Sequence, residues 1–404
     1  MKNYINNIHL KQYICLKDID ISISSSESPH LFLTGKNGSG KTMLLNVIGS
    51  ELRRMSGREL CADKNWLNCF RKNKTPNPTV TVRDATGKLT CMTYDTLYAA
   101  EYNVELSKYC QDNIKSEEFV LKMYSAYRTP NIQEPLTPTK PDLHKKENLT
   151  SEFLNFLSDL KIQELLANGD EDRADDAVEL RGWFDSFEKL MQEIYEDEEL
   201  KIKFDSKFYR FLITTEGKQF KFTELSDGFA AILEIVIDLI LTMQSDESLT
   251  RFYKREGIVL IDEVETHLHL ALQKNIMPIL TKVFPNIQFI VTTHSPFVLN
   301  SLPNAVAFDL EHKETIEDLN KYSYEALAEG YFGVTTESSY MRMRLNEFHK
   351  LLEKENWTIA EKSKVKQMIE DFNNVSEVAS PDIKGEYNRI MITFASKIRE
   401  LNND

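Results

Sequence analysis

The run Leu31-Phe32-Leu33-Thr34-Gly35-Lys36-Asn37-Gly38-Ser39-Gly40-Lys41-Thr42 leaves the chain few folds to choose from. In it an apolar strand enters a glycine-rich turn, which opens directly into the helix Met43-Leu44-Leu45-Asn46-Val47-Ile48. Three glycines let the backbone curl so that successive N–H groups face one anion, and the helix start adds the positive end of its dipole. In this G-x-x-x-x-G-K-T spacing Asn37, Gly38, Ser39 and Gly40 form a phosphate cradle, Lys41 reaches the outer phosphates, and the Thr42 hydroxyl is placed for Mg²⁺.

Composition narrows the partners. A net charge of −14 over 404 residues argues against a free-standing nucleic-acid binder, whose affinity rests on Lys and Arg at phosphates. The cysteines Cys15, Cys61, Cys69, Cys91 and Cys110 contain no C-x-x-C pair, so neither a zinc knuckle nor a disulfide framework is expected. No apolar run approaches the ~20 residues of a membrane span. The polar start Met1-Lys2-Asn3 lacks a signal-peptide core, and a cytoplasmic location is expected.

Ahead of the phosphate loop, Tyr4–Ile8 and Ile19–Ile23 alternate as half-buried strands, with Lys11–Leu16 between them. Residues 53–77 read as a basic loop (Arg53, Arg54, Arg58, Lys64, Arg71, Lys72, Lys74) with Trp66 and Phe70 interleaved; a solvated loop is the ordinary reading, a nucleic-acid contact the other. Thr79–Arg83 and Leu89–Thr93 flank a turn as a hairpin, and Phe119–Arg128 reads as a buried strand. Pro130, Pro135, Pro138 and Pro141 then mark a boundary. From about 149 to 200 the period is helical, with Trp183, Phe184, Phe187, Leu190, Met191 and Ile194 on one face. Strands resume at Phe208–Ile213 and Phe220–Phe222.

The chemistry is expected downstream. Phe222-Thr223-Glu224-Leu225-Ser226-Asp227-Gly228-Phe229 opens an apolar-faced helix with Ser226 at the N-cap position. Gly257-Ile258-Val259-Leu260-Ile261-Asp262-Glu263 is the continuous apolar run of a strand buried on both faces, ending in two carboxylates. Asp262 is placed to hold Mg²⁺ and Glu263 to act as general base on water. A further buried strand, Ile287–Thr292, ends in Thr293-His294-Ser295, and a histidine there can hydrogen-bond a γ-phosphate or the attacking water. Glu265, His267 and His269 also allow a transition-metal reading, on a loose ligand pattern.

The order phosphate loop, L-S-D-G, I-D-E and T-H-S resembles the soluble branch of the ATP-binding-cassette ATPases, which includes SMC-type repair ATPases and OLD proteins. The resemblance spans residues 1–312. It implies an α/β ABC-type P-loop head, a mixed sheet with an antiparallel β subdomain, interrupted by a helical insertion and followed by a C-terminal helical extension. The expected segments are 1–134 and 206–335 for the two halves of the head, 135–205 for the insertion and 336–404 for the extension. It further implies that two heads sandwich two ATP molecules. Ser226, Asp227 and Gly228 would then meet the γ-phosphate held by the other subunit's Gly38, Lys41 and Thr42, while Glu265 and His267 cross the interface. The glutamine-loop role stays open between Tyr127-Arg128 and Gln133.

Three amphipathic helices are expected in the tail, on Met341, Leu345, Phe348 and Leu352, on Val365, Met368, Ile369 and Phe372, and on Tyr387, Ile390, Met391, Phe394, Ile398 and Leu401. The 110 residues after His294 contain no D-x-D pair, so an OLD-type nuclease centre is not expected. A short head with this insertion and tail, together with Tyr322–Gly333, is similar to the stand-alone AAA family ATPases of anti-phage systems such as Septu and the retron-associated ATPase and nuclease pairs. That resemblance implies a homodimer or higher homo-oligomer controlling a separate effector, a nuclease or other toxin, with DNA or RNA reached through the complex. The alternatives are a repair-type head that clamps DNA directly, a transporter ATPase, and a switch that binds ATP with little turnover.

Overall fold

The computed structural model describes residues 4–23, 30–58, 80–83, 89–92, 101–128, 132–134, 141–142, 149–244, 255–332, 339–374 and 381–403. Most of the basic loop read at 53–77, the turn of the 79–93 hairpin, and Pro130, Pro135 and Pro138 lie outside them. The described strands are β1 (Ile5–Tyr13), β2 (Leu16–Ser22), β3 (His30–Thr34), β4 (Val80–Arg83), β5 (Leu89–Met92), β6 (Glu101–Leu106), β7 (Val120–Tyr124), β8 (Lys201–Asp205), β9 (Arg210–Thr215), β10 (Lys218–Lys221), β11 (Gly257–Ile261), β12 (Ile287–Thr292), β13 (Ala305–Asp309) and β14 (Glu314–Ile316).

The central sheet has the order β14-β13-β3-β12-β11-β7. From β13 to β7 every pairing is parallel, and β14 closes the edge antiparallel to β13. All five residues of β3, β11 and β13 and all six of β12 are buried, as strands covered on both faces must be. The register sets Ile261 beside Tyr124 and Val291, Thr292 beside Leu33, and Thr34 beside Asp309. The carboxyl ends of β7, β11, β12, β3 and β13 therefore share one edge of the sheet, where open α/β sheets bind ligands.

One face of this sheet carries helix α1 (Lys41–Ser56). Leu44, Leu45 and Ile48 of α1 share a core with Leu31 and Leu33 of β3 and with Ile5, Ile8, Ile19 and Ile21 of β1 and β2. β1 pairs antiparallel with both β2 and β6, forming the antiparallel subdomain. Gln288 of β12 fastens β1 to the central sheet, because its Oε1 accepts the Tyr4 and Ile5 N–H groups at 3.1 and 2.9 Å. The strands β1 and β2 run on to Tyr13 and from Leu16, leaving a two-residue turn where a six-residue connection was read. Ile14 takes a φ of 53° in that turn.

His30, 1% exposed, lies beneath β12, and its Nδ1 accepts the Phe289 N–H at 3.2 Å. Burial lowers its pKa from 6.5 to about 4. The unfolded chain thus binds this proton near pH 6.5 and the folded chain only near 4. The stability due to neutral His30 is complete above the higher value and is lost as pH falls through the window to the lower. Urea midpoints should fall between pH 7 and 4. His30→Asn, whose Oδ1 can accept the same N–H, should flatten that fall.

Helix α2 (Lys108–Asn113) follows β6, and the insertion is built on α3 (Phe153–Ala167) and α4 (Ala174–Tyr195). The β8-β9-β10 sheet then leads into α5 (Asp227–Thr242), which buries nine consecutive-turn apolar residues from Ala231 to Leu241. After β11 comes α6 (Leu270–Val283). The insertion is joined to both helices. Tyr195 stacks on Phe229 with ring centroids 3.9 Å apart, Phe229 meets His269 edge-on at 6.0 Å, and Asn275 Nδ2 donates to Glu196 at 2.7 Å.

The chain divides into two compact units, Met1–Leu327 and Ala328–Asp404. The short α7 (Pro296–Leu299) follows β12, and α8 (Tyr324–Phe332) runs across the division. The second unit has its own core, formed by α9 (Ser339–Glu353), α10 (Ile359–Asn373), α11 (Pro381–Thr393) and α12 (Ala395–Asn403) around Phe348, Phe372 and Tyr387. The third tail helix of the sequence reading is two helices. They meet at Phe394, next to Thr393, whose Oγ1 donates back to Arg389 O at 2.9 Å.

Candidate functional site

The glycine-rich turn leaves β3 with φ values that favour glycine: 130° at Gly35, 82° at Gly38 and 99° at Gly40. Gly40 is the N-cap of α1 and packs so closely that a Cβ would lie 2.6 Å from Leu16 Cδ2. Within the turn Lys41 is 5% exposed, and its Nζ donates to Gly35 O at 2.7 Å and Lys36 O at 3.0 Å. Burial lowers the Lys41 pKa, while Glu265, Glu263, Asp262 and Asp309 pull it back up. A cation thus stands in a nest of loop backbone with four carboxylates in electrostatic range. Ser39 Oγ is buried in the same turn without a hydrogen-bond partner among the described residues.

The fold brings Thr42 to the end of β11. Thr42 Oγ1 donates to Asp262 Oδ1 at 3.0 Å, and Thr292 Oγ1 donates to the same oxygen at 2.7 Å. Asp262 is 4% exposed; desolvation raises its pKa, and the two hydroxyls act against that rise. Thr292 also accepts the Glu263 N–H at 2.7 Å, so one hydroxyl at the tip of β12 sets both carboxylate residues. Glu263 has a φ of 43°, a left-handed conformation that costs a non-glycine residue about 1–2 kcal/mol. Its Oε2 accepts from Thr266 Oγ1 at 3.2 Å.

His294 lies at the next position along this edge. Desolvation and the Lys41 charge lower its pKa, and Glu263 raises it, so the imidazole favours its neutral form and senses both neighbours. Its backbone N–H donates to Glu265 Oε1. Ser295 Oγ donates to Gln273 Oε1 at 2.7 Å, and Gln273 Nε2 donates to Leu268 O at 2.8 Å. The turn 263–269 is thereby tied twice to the loop after β12. Among the described residues no group of three or more His, Cys, Asp or Glu side chains is gathered as a metal site.

Ser226 is the N-cap residue of α5, but its side chain makes no capping bond; Ser226 and Asp227 are exposed. Gly228 packs against the turn after β11, where a Cβ would come 2.9 Å from His267 O. Ser226, Asp227 and Gly228 thus adjoin the 263–269 turn, and no hydrogen bond between them and Gly38, Lys41 or Thr42 occurs among the described residues. A cleft of about 300 Å³ lies here, lined by Tyr127, Arg128, Leu225, Asp227, Ala230 and His267.

Of the two candidates left open for the glutamine loop, Gln133 is exposed, whereas Arg128 is 3% exposed and bonded to the backbone of the turn after β11. Thr292 was not picked out from the sequence, although a threonine closing an all-buried apolar strand was a visible signal. The loop expected at 53–77 begins later than that, because residues 53–56 are the last turn of α1, and its described arginines Arg54 and Arg58 are engaged at home. Arg54 pairs with Glu51 at 2.5 Å, and Arg58 Nη2 donates to Ile114 O at 2.7 Å.

Residues 112–300 match the family model described as "AAA domain, putative AbiEii toxin, Type IV TA system". The chain is 26% identical over 318 residues to the Septu protein PtuA of Bacillus mycoides, across 78% of this chain and 41% of PtuA. It is 47% identical over 81 residues to the "Retron Ec83 probable ATPase" of Escherichia coli, across 20% of this chain and 15% of that protein. The chain thus spans less than half the length of these relatives. Among solved structures, an SMC head bound to the C-terminal winged-helix domain of ScpA aligns with a TM-score of 0.40 at 12% identity, over 78% of this chain and 96% of that one. The resemblance to Septu and retron-associated ATPases, drawn from the short head, its insertion, the tail and Tyr322–Gly333, is matched by these relatives, and the AAA domain by the family model. No helix among the described residues is long and apolar enough to cross a membrane.

Proposed function

We propose that this chain is a Mg²⁺-dependent ATP hydrolase of bacterial anti-phage defence, which closes around ATP as a homodimer or higher homo-oligomer in the cytoplasm and controls a separately encoded effector, a nuclease or other toxin. The observation that carries the hydrolytic reading is the 3.0 Å bond from Thr42 to Asp262, which joins the phosphate turn to the carboxylate pair across 220 residues of sequence.

The residues fit the groups this reading requires. Thr42 and Asp262 offer adjoining hard oxygen donors, few enough to leave room for water and phosphate oxygens around Mg²⁺. Bound there, the ion would neutralise charge on the phosphate oxygens. The N–H groups of the turn Asn37, Gly38, Ser39 and Gly40 would cradle the phosphates at the start of α1, the Ser39 N–H exchanging its bond to Lys36 O, and Lys41 supplies a positive charge whose pull on phosphate the buried site strengthens. Glu263 takes the proton of a water whose oxygen attacks the γ-phosphorus, and the bond to the β–γ bridging oxygen breaks. His294 orients that water or the γ-phosphate through its neutral ring. Ser226, Asp227 and Gly228 present a free helix N-terminus, and in this reading it meets the γ-phosphate held by a second copy.

The purified chain should release phosphate from ATP, and removal of Mg²⁺ by EDTA should stop release and Mg²⁺ readdition restore it. For the defence role, the product of the neighbouring reading frame should co-purify with the chain. A permease in that position would defeat this reading in favour of transport.

A further inference from the structure

Glu263 can act as a base only if its carboxylate is aimed, yet its residue sits in a backbone conformation that a glutamate disfavours. Both of its peptide groups are held. The N–H donates to Thr292 Oγ1 at 2.7 Å, and the C=O accepts from Arg128 Nη2 at 2.9 Å. The same guanidinium also reaches Asp262 O through Nη1 at 2.8 Å and Val264 O through Nη2 at 3.3 Å, while Nη1 donates to Ser125 O at 3.0 Å. Three successive carbonyls of the catalytic turn therefore converge on one buried cation that belongs to the loop after β7.

We propose that Arg128 is a positioning residue for hydrolysis: its planar fork holds the 262–264 carbonyls so that Glu263 keeps its left-handed backbone and its aim at the attacking water. This rests on the hydrolytic reading of Glu263. The fork matters because its two terminal nitrogens diverge in a fixed plane, one toward Asp262 and the other toward Glu263 and Val264. A lysine ammonium supplies the charge without the plane. On the opposite side, Asp262 N–H donates to Tyr124 O at 2.9 Å and Val264 N–H to Thr292 O at 3.1 Å, and Thr266 N–H shares the Glu263 carbonyl at 3.0 Å, so the strands hold the N–H side of the turn and Arg128 gathers its three carbonyls. Arg128 also borders the cleft shared with Asp227 and His267, so the loop that aims the base lines the same hollow as the start of α5.

The test compares Arg128→Lys and Arg128→Ala with the unaltered chain in steady-state ATP hydrolysis, with nucleotide affinity followed separately by a fluorescent ATP analogue. A small misplacement of a catalytic group costs on the order of 100-fold, so kcat should fall about that far in Arg128→Ala and less in Arg128→Lys. Analogue affinity should stay within about twofold, because Arg128 touches no part of the phosphate turn. Millimolar guanidinium, which fits the space left by the deleted fork, should restore part of the Arg128→Ala rate. Unchanged kcat in either variant, or a loss of rate matched by an equal loss of analogue binding, would overturn the proposal. If Arg128→Ala does not fold, the kcat and affinity of Arg128→Lys decide alone. A chain that binds the analogue but hydrolyses nothing even unaltered refutes the hydrolytic reading itself, which is a separate result.

Discussion

Glu263→Gln should lower ATP turnover by about 100- to 10,000-fold while ATP affinity holds within about twofold, the range expected when a general base loses its proton-accepting oxygen. The amide preserves the shape of the side chain and its bond from Thr266, and the backbone of residue 263 remains fixed by Thr292 and Arg128. Only the capacity to take a proton is removed. Arrested before hydrolysis, the variant should also accumulate as a dimer in Mg²⁺ and ATP, visible by light scattering. Normal turnover in Glu263→Gln would take Glu263 out of the chemistry.

Ser226→Arg should abolish hydrolysis, by about 100-fold or more, and leave nucleotide binding to the isolated chain intact. Ser226 is exposed and its hydroxyl makes no capping bond, so the substitution removes no cap from α5. A cation at the positive end of α5 costs about 0.3–1 kcal/mol, too little to unfold a domain. In the shared-site reading it would block the approach of a second copy. Mixing supplies the sharper test. Lys41→Ala disables the phosphate turn and Ser226→Arg the opposing face, so a heterodimer of the two retains one intact composite site. Random pairing gives such dimers half the population, and activity should recover to about a quarter of that of the unaltered chain. If Ser226→Arg turned over ATP at the normal rate, the shared site would be excluded.

The parts of the molecule legible in the sequence were those whose signal is local. β3, β11 and β12 are uninterrupted apolar runs because both faces are covered, and the glycine spacing of the phosphate turn is written in eight residues. β8 was missed because Lys201-Ile202-Lys203-Phe204-Asp205 is half-exposed at the edge of a small sheet, where burial imposes no run. The turn at Ile14-Cys15 carries neither glycine, asparagine nor aspartate; the pairing of β1 with β2 and β6 imposes it from outside.

Within the site, the roles of Arg128, Thr292 and Glu265 were not legible for a related reason. Each acts through partners 29 to 136 positions away, and nothing in the residues around Arg128 indicates which carbonyls it will meet. A buried polar residue in an apolar strand is the trace such contacts leave. Gln288 and Thr292 of β12 both follow that rule, one fastening β1 and the other setting the carboxylates.

The face-to-face stack of Tyr195 on Phe229 has a mechanical corollary. The stack joins the end of α4 to the first turn of α5, and the Asn275–Glu196 bond beside it joins the same end of α4 to α6. The base of the α3–α4 hairpin thus lies against the helix start that bears Ser226. A ligand of that hairpin whose affinity depended on the position of the α5 start would be coupled to engagement at Ser226 by the same free energy in both directions.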